Sequence, residues 1–171
     1  LFLGNGNSSF IDAGFPDDSD HLYDIEFADY DGDQDLDIIC KGSKLKIYKN
    51  HSQSSNTKPL PPSNLSAVIR GYTALLNWDK GNDFETSSTS LSYNLRIGSS
   101  KQDYDIVSSA SDPATGFIRI SNNSNCSKDT SFYIQDMSPG KKYWSVQSID
   151  NGMLGSEFAV DDSFIIQPAF T

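Results

Sequence analysis

The sequence is poor in cysteine, histidine and basic residues. It has two cysteines, two histidines and 13 lysines and arginines among 171 residues. Without a CxxC spacing or a histidine close to either cysteine, a zinc or redox site lacks the ligands it needs. The 23 aspartates and glutamates bring the net charge to −10, and such a surface repels phosphate backbones and anionic lipid. We therefore predict no nucleic-acid partner and no binding to a membrane surface.

Long apolar runs are also missing. No run approaches the ~20 residues needed to span a bilayer, so we predict no membrane insertion. The chain opens on Leu1-Phe2-Leu3 without a signal-peptide pattern, as the middle of a strand would. We therefore expect a processed or excised piece of a longer secreted or cell-surface protein.

Catalytic groups are scarce as well. His21 lies in a polar loop, His51 lies in a segment without apolar periodicity, and no serine elbow or cysteine nucleophile accompanies them. Cys40 ends the apolar run Ile38-Ile39-Cys40, which predicts a buried small hydrophobe. A Cys40–Cys126 disulfide in an oxidising compartment stays open as an alternative. We predict a protein that is not an enzyme and has no catalytic residue.

The composition changes sharply near residue 50. Residues 51–62 are rich in serine and other polar residues and end in prolines, which is typical of a linker. Residues 1–50 and 63–171 are therefore predicted to fold separately. Short β-branched and aromatic runs separated by turn residues predict an all-β chain and an antiparallel sandwich in the second part. In that part the runs cover residues 65–70, 73–78, 93–97, 117–120, 132–134 and 143–149.

Acidic residues are concentrated in one short segment. A carboxylate stands at every second position, in Asp29, Asp31, Asp33, Asp35 and Asp37. On an extended strand these groups would line one face and repel each other, whereas in a tight loop around Gly32 they can converge on one cation. Several hard oxygen ligands favour Ca²⁺ over softer ions and over Mg²⁺, which keeps more of its waters. The segment predicts a structural calcium site, and the alternative is a solvated acidic turn.

This loop and the apolar strand after it resemble the FG-GAP or VCBS-type repeat, a blade unit of β-propellers with a DxDGDxDLD calcium loop. The resemblance covers about residues 1–50, where residues 1–5 also resemble residues 46–50. It implies side-chain ligands from Asp29, Asp31 and Asp33, a backbone carbonyl from Asp35 and a closing carboxylate from Asp37. The position of Gln34 is commonly glycine in that family, so a left-handed backbone there would carry a small strain.

Residues 61–167 resemble a fibronectin type III domain, an immunoglobulin-like β-sandwich. The resemblance rests on the proline-rich start at residues 61–65, on the strand patterns ending in Trp78 and starting at Tyr93, and on the Pro139-Gly140 turn before Trp144. Packing in the core is favoured for Trp78 and Trp144 over a sugar-binding platform, because sandwich cores need aromatic residues.

In combination, a partial propeller blade linked to a fibronectin type III sandwich resembles long surface or secreted proteins of gliding or polymer-degrading bacteria. The resemblance implies a non-catalytic accessory or adhesion segment located outside the cell. Its expected partners are other domains of the same polypeptide or surface proteins, with extracellular polysaccharide as a further candidate. Two alternatives remain open: the tail of a secreted carbohydrate-active enzyme, and a fragment of a eukaryotic adhesion protein, which several Asn-x-Ser sequons favour.

Overall fold

A computed structural model describes residues 2–4, 10–12, 22–51, 56–109, 111–119 and 124–168. The chain forms two compact units, Leu1–Gln53 and Ser54–Thr171. The boundary between them in the sequence falls inside the predicted linker, residues 51–62. All strands in the described ranges pair antiparallel, and these ranges contain no helix, so none that could cross a membrane. The all-β prediction is confirmed.

The first unit holds a two-stranded and a three-stranded sheet. Strands β1 (Phe2–Gly4) and β2 (Phe10–Asp12) pair with each other. The second sheet has the order β3-β4-β5, with the strands β3 (Asp24–Ala28), β4 (Asp37–Lys41) and β5 (Leu45–Tyr48). This sheet positions the candidate site, because the acidic segment is the connection between β3 and β4.

The second unit contains two three-stranded sheets, with the orders β6-β7-β9 and β8-β10-β11. The strands are β6 (Ser63–Arg70), β7 (Thr73–Asp79), β8 (Ser92–Gly98), β9 (Ser131–Ile134), β10 (Gly140–Ile149) and β11 (Asp162–Ile166). Residues 117–120 were expected to form a strand, but Ile118 makes only an isolated bridge with Ser111, and residue 120 lies outside the described ranges. Strand β11 was missed by the sequence analysis.

The core of the second unit is aromatic and aliphatic. Alternate residues of β7 point inward, ending at Trp78, which is 4% exposed, while Trp144 of β10 is fully buried. The ring of Trp78 lies 5.9 Å from that of Tyr93 in an edge-to-face arrangement and 6.3 Å from that of Trp144. Such aromatic pairs add to the free energy gained by burial alone. The predicted core positions of both tryptophans are confirmed.

The outer edge of β8 is closed by side-chain and loop contacts rather than by a further strand. The Asn125 side chain accepts a hydrogen bond from the Leu95 backbone N–H at 2.7 Å and donates one to the Leu95 carbonyl at 2.7 Å. Farther along, the Ile97 N–H donates to the Val107 carbonyl at 3.0 Å. Because unpaired edge groups invite pairing with another chain, these contacts protect the sheet.

Both cysteines are buried free thiols. Cys40 is fully buried in β4, as its apolar run predicted. The alternative of a Cys40–Cys126 disulfide is wrong for this structure, since both thiols are free. Burial raises the pKa of the Cys126 thiol to about 12. Since the thiolate is the reactive form, Cys126 is chemically inert in the folded chain.

We expect both thiols to resist a thiol reagent in the folded chain and two thiols per chain to react once it is unfolded. Burial excludes the reagent, and the raised pKa leaves almost no thiolate at Cys126. A colorimetric thiol assay with and without denaturant measures this. Finding no free thiol in the denatured, unreduced chain would instead indicate a disulfide.

Replacing Trp144 by alanine is expected to cost the second unit about 3–5 kcal/mol, because a fully buried aromatic leaves a cavity. Val160→Ala serves as the control, since Val160 is 92% exposed and its loss should change stability by less than about 0.5 kcal/mol. Denaturant unfolding followed by tryptophan fluorescence suits this test, because Trp78 remains as a reporter in the same unit. Equal midpoints for the two variants would contradict the described core.

Candidate metal centre

The acidic segment is held at both ends by neighbouring positions of one sheet. Ala28, the last residue of β3, pairs with Asp37, the first residue of β4. Ile38 of β4 pairs in turn with Tyr48, the last residue of β5. Residues 29–36 therefore form a closed connection, and its second end, at Asp37, lies beside the end of β5. This explains why groups distant in sequence meet at the loop.

Asp29 organises the interior of the loop. One carboxylate oxygen accepts hydrogen bonds from the Gly32 N–H at 2.7 Å and the Asp33 N–H at 3.1 Å. The other oxygen accepts from the Gln34 N–H at 3.1 Å. Three consecutive amides thus point at one side chain, which bends the chain into a tight turn.

The turn requires a left-handed backbone at two positions. Gly32 has a φ of 79° and Gln34 has a φ of 75°. The family resemblance implied a strained, left-handed backbone at Gln34 if that position keeps the family's conformation, and its φ value is left-handed. Glycine adopts such angles freely, whereas a glutamine side chain is strained by them at a cost of order 1 kcal/mol.

Asp37 is the most buried carboxylate of the segment, with 0% of its surface exposed. Its Oδ2 accepts a hydrogen bond from the Tyr30 N–H at 2.9 Å, and its Oδ1 accepts one from the Asn50 N–H at 2.7 Å. The first donor belongs to the start of the loop and the second follows β5. One side chain therefore joins the start of the loop to the segment after β5, and its charge is stabilised by two backbone donors.

Asp31 is paired with a lysine that the sequence analysis did not anticipate. The Lys49 Nζ lies 3.1 Å from the Asp31 Oδ2 and 5.7 Å from the ring centroid of Tyr30. The hydrogen bond from Lys49 lowers the pKa of the Asp31 carboxyl and raises the pKa of the Lys49 ammonium. Both groups are therefore held in their charged forms.

Three of the five predicted ligands converge. One carboxylate oxygen each from Asp29, Asp31 and Asp37 lies within 4.8 Å of the other two. The Asp33 carboxylate is not part of this group, and Asp35 was expected to contribute its backbone carbonyl rather than its carboxylate. The Asp33 carboxylate accepts from the Asp35 N–H at 3.2 Å, which turns it along the loop.

Asp35 has an unusual environment. Its Oδ1 is buried and has no hydrogen-bond partner within the described ranges. Burial raises the pKa of the Asp35 carboxyl, and the charges of Asp33 and Asp37 raise it further. A buried oxygen without a donor, next to further carboxylates, is the arrangement that a cation stabilises.

The donor set fits Ca²⁺. Its ligands are oxygens at about 2.3–2.6 Å, so two ligands on opposite sides of the ion lie about 5 Å apart. The spread of the oxygens of Asp29, Asp31 and Asp37 falls within that span. Carboxylates are ligands for hard cations and poor ligands for soft ones. These three carboxylates can therefore hold a hard metal ion, and the loop carries a further unpartnered carboxylate oxygen at Asp35.

The two histidines considered in the sequence are not among the converging groups of the described residues. His51 is exposed, and His21 lies outside the described residues. Lys49 and Asn50 were missed because they come from the end of a different strand. The signal that could have found them is the β4–β5 hairpin itself, which returns the chain to the site of Asp37.

Comparisons with known proteins add little. No family model matches the chain, and no curated protein matches it. Among solved structures, the chain is similar to the spore cortex lytic enzyme SleM of Clostridium perfringens, at 15% identity and a TM-score of 0.41. The match covers 75% of this chain and 34% of that chain, so the chain spans about a third of the enzyme's length. A likeness of this size indicates neither a family nor an activity.

Replacing Asp37 by asparagine is expected to destabilise the first unit by about 1–3 kcal/mol even with EDTA present. An amide offers one acceptor oxygen in place of two, so one of the N–H groups of Tyr30 and Asn50 loses its partner. Hydrogen exchange at these two amides, followed by NMR, measures the effect. Glu26→Gln is the control, because Glu26 is an exposed carboxylate on β3. Unchanged protection in Asp37→Asn would show that its carboxylate does not hold the loop.

Proposed function

We propose that this chain is a non-catalytic, calcium-binding accessory or adhesion segment of a larger secreted or cell-surface protein. Calcium acts in it as a structural staple. One observation carries the proposal: the buried Asp37 carboxylate joins both ends of the acidic loop and converges with Asp29 and Asp31. An ion bound there would fix the loop against β4 and β5.

The electrostatics of the loop favour this role. Five carboxylates stand within nine residues, and the ammonium of Lys49 contacts one of them, that of Asp31. Like charges at such spacing repel by several kcal/mol when they are partly shielded from water. A divalent cation removes that repulsion, so binding the ion and ordering the loop are one process. Carboxylates held ionised by a cation are poor general acids, which argues for a structural role over a catalytic one.

The second unit supports a spacer or binding role of the fibronectin type III kind. The sheet orders β6-β7-β9 and β8-β10-β11 agree with the A-B-E and C-F-G sheets of immunoglobulin-like sandwiches. Both tryptophans are buried, so neither offers a stacking surface for a sugar. Its partners in this proposal are other domains of the same polypeptide or surface proteins, and extracellular polysaccharide is a further candidate.

A row of exposed apolar residues is where such a partner would bind most favourably. Val68, Leu75 and Tyr133 are cross-strand neighbours on β6, β7 and β9. They are 49%, 38% and 60% exposed. Contiguous apolar surface on a soluble domain is a feature of interaction sites.

The first test is calcium binding by the full chain. We expect one Ca²⁺ to bind with a Kd on the order of 10⁻⁴–10⁻³ M, as in other extracellular modules. At 10 mM ion and a Kd of ~10⁻⁴ M, the first unit gains about 2.7 kcal/mol. Isothermal calorimetry gives the affinity, and Mg²⁺ at equal concentration is the control ion. No calcium heat at 10 mM, or an equal response to Mg²⁺, would refute the staple.

The ligand set is tested by two matched variants. Asp31→Asn should weaken calcium binding at least tenfold, because it removes one of the three converging carboxylates. Asp33→Asn should weaken it less if the side chain keeps its place along the loop, and equally if all five aspartates contribute as the sequence predicted. Asp24→Asn, in an exposed position on β3, is the control. The tryptophan fluorescence of the second unit should not respond to the ion, since both tryptophans lie there.

A further inference from the structure

Lys49 places a positive charge against one of the three converging carboxylates, where a cation site does not require one. It is the residue after β5, beside the end of β4 where Asp37 begins the strand. From there its ammonium reaches the Asp31 Oδ2 at 3.1 Å and lies over the ring of Tyr30. A positive charge therefore lies next to the three converging carboxylates. It comes from the end of β5, which supplies no carboxylate to that cluster.

We propose that Lys49 is an internal competitor for the calcium ion and sets the affinity of the centre. This inference rests on the proposed function. When the ion concentration is low, the ammonium neutralises part of the loop's charge and keeps the loop folded. When the ion binds, the ammonium must leave Asp31 or remain close to a second positive charge. Lys49 therefore lowers the calcium affinity while it stabilises the calcium-free loop.

The geometry allows this exchange. The Lys49 side chain is 45% exposed and the Asp31 side chain is 25% exposed, so the ammonium can move into solvent without a buried path. Lysine is a compact point charge on a flexible stem, and it makes no bidentate pair that would lock it to a carboxylate. Its contact with the Tyr30 ring is of the exposed kind, which is weak. Displacement by a divalent ion is therefore favourable once that ion is abundant.

If Lys49 had a purely structural role, its removal would change the calcium affinity in the opposite direction. If the lysine only supported the loop, its removal would loosen the carboxylates and weaken calcium binding. If it competes, its removal leaves a more negative centre that binds the ion more tightly. Near the dielectric of water, which suits these partly exposed side chains, the Coulomb energy between an ammonium and a divalent ion a few ångströms apart corresponds to about a tenfold change in affinity. The sign of the change in affinity separates the two roles.

Calcium calorimetry on the full chain tests the inference. Lys49→Gln should lower the calcium Kd about three- to thirtyfold, whereas Lys49→Arg, which keeps the charge, should remain within about threefold of the unmodified chain. Lys44→Gln removes the same charge from the β4–β5 turn, roughly 13 Å along β4 from Asp37, and should leave the Kd unchanged. An unchanged or higher Kd in Lys49→Gln, while the unmodified chain binds calcium, overturns the role of Lys49 alone.

A second measurement does not depend on binding. In EDTA, hydrogen exchange at the Tyr30 and Asn50 amides should be severalfold faster in Lys49→Gln than in Lys44→Gln, since the calcium-free loop has lost its counter-charge. Equal exchange rates would contradict the stabilising half of the proposal. If no variant binds calcium at 10 mM, the proposed function fails and the competitor role fails with it.

Discussion

Burial of the Asp37 carboxylate is the constraint on which the rest of the loop depends. An ionised carboxylate removed from water costs several kcal/mol unless donors replace its hydration. The two donors are the N–H groups of Tyr30 and Asn50, so both segments must pass close to β4. That requirement places Asp29 and Asp31 beside Asp37, and it also brings Lys49 to the loop. The convergence of charges follows from solvating one buried group.

The site could be predicted in kind from the sequence, but not in detail. The alternating carboxylates and Gly32 indicate a tight acidic loop, and the left-handed backbone expected at Gln34 is present. Alternation alone treats the five aspartates as equivalent. In the loop they differ, because Asp29 is engaged by three amides and Asp33 turns toward the Asp35 N–H. Lys49 could not be foreseen, since its position follows from strand register rather than from the local pattern.

The fold of the second unit was predictable where burial is periodic. Strands β6 and β7 alternate between buried and exposed residues, and their bounds lie close to the runs identified at 65–70 and 73–78. The periodicity of buried residues does not predict a sheet edge that is closed by a side chain. The edge of β8 is an example, because the Asn125 side chain bonds the backbone of Leu95 there. Periodicity also fails for residues 117–120, where an apolar run makes one bridge instead of a strand. Phe117 of that run is 69% exposed, so a short apolar run alone predicts neither burial nor strand pairing.

The two units rely on different sources of stability. The second buries aromatic and aliphatic side chains of both sheets in one cluster, and burial of that kind does not depend on an ion. In the β3–β5 sheet of the first unit, Asp37 and Cys40 alone are buried, while Phe27 is 50% and Leu45 is 68% exposed. That sheet gains little from apolar burial, so the charge balance of its loop decides more of its stability. On the proposed function, calcium would therefore change the stability of the first unit and leave that of the second unchanged.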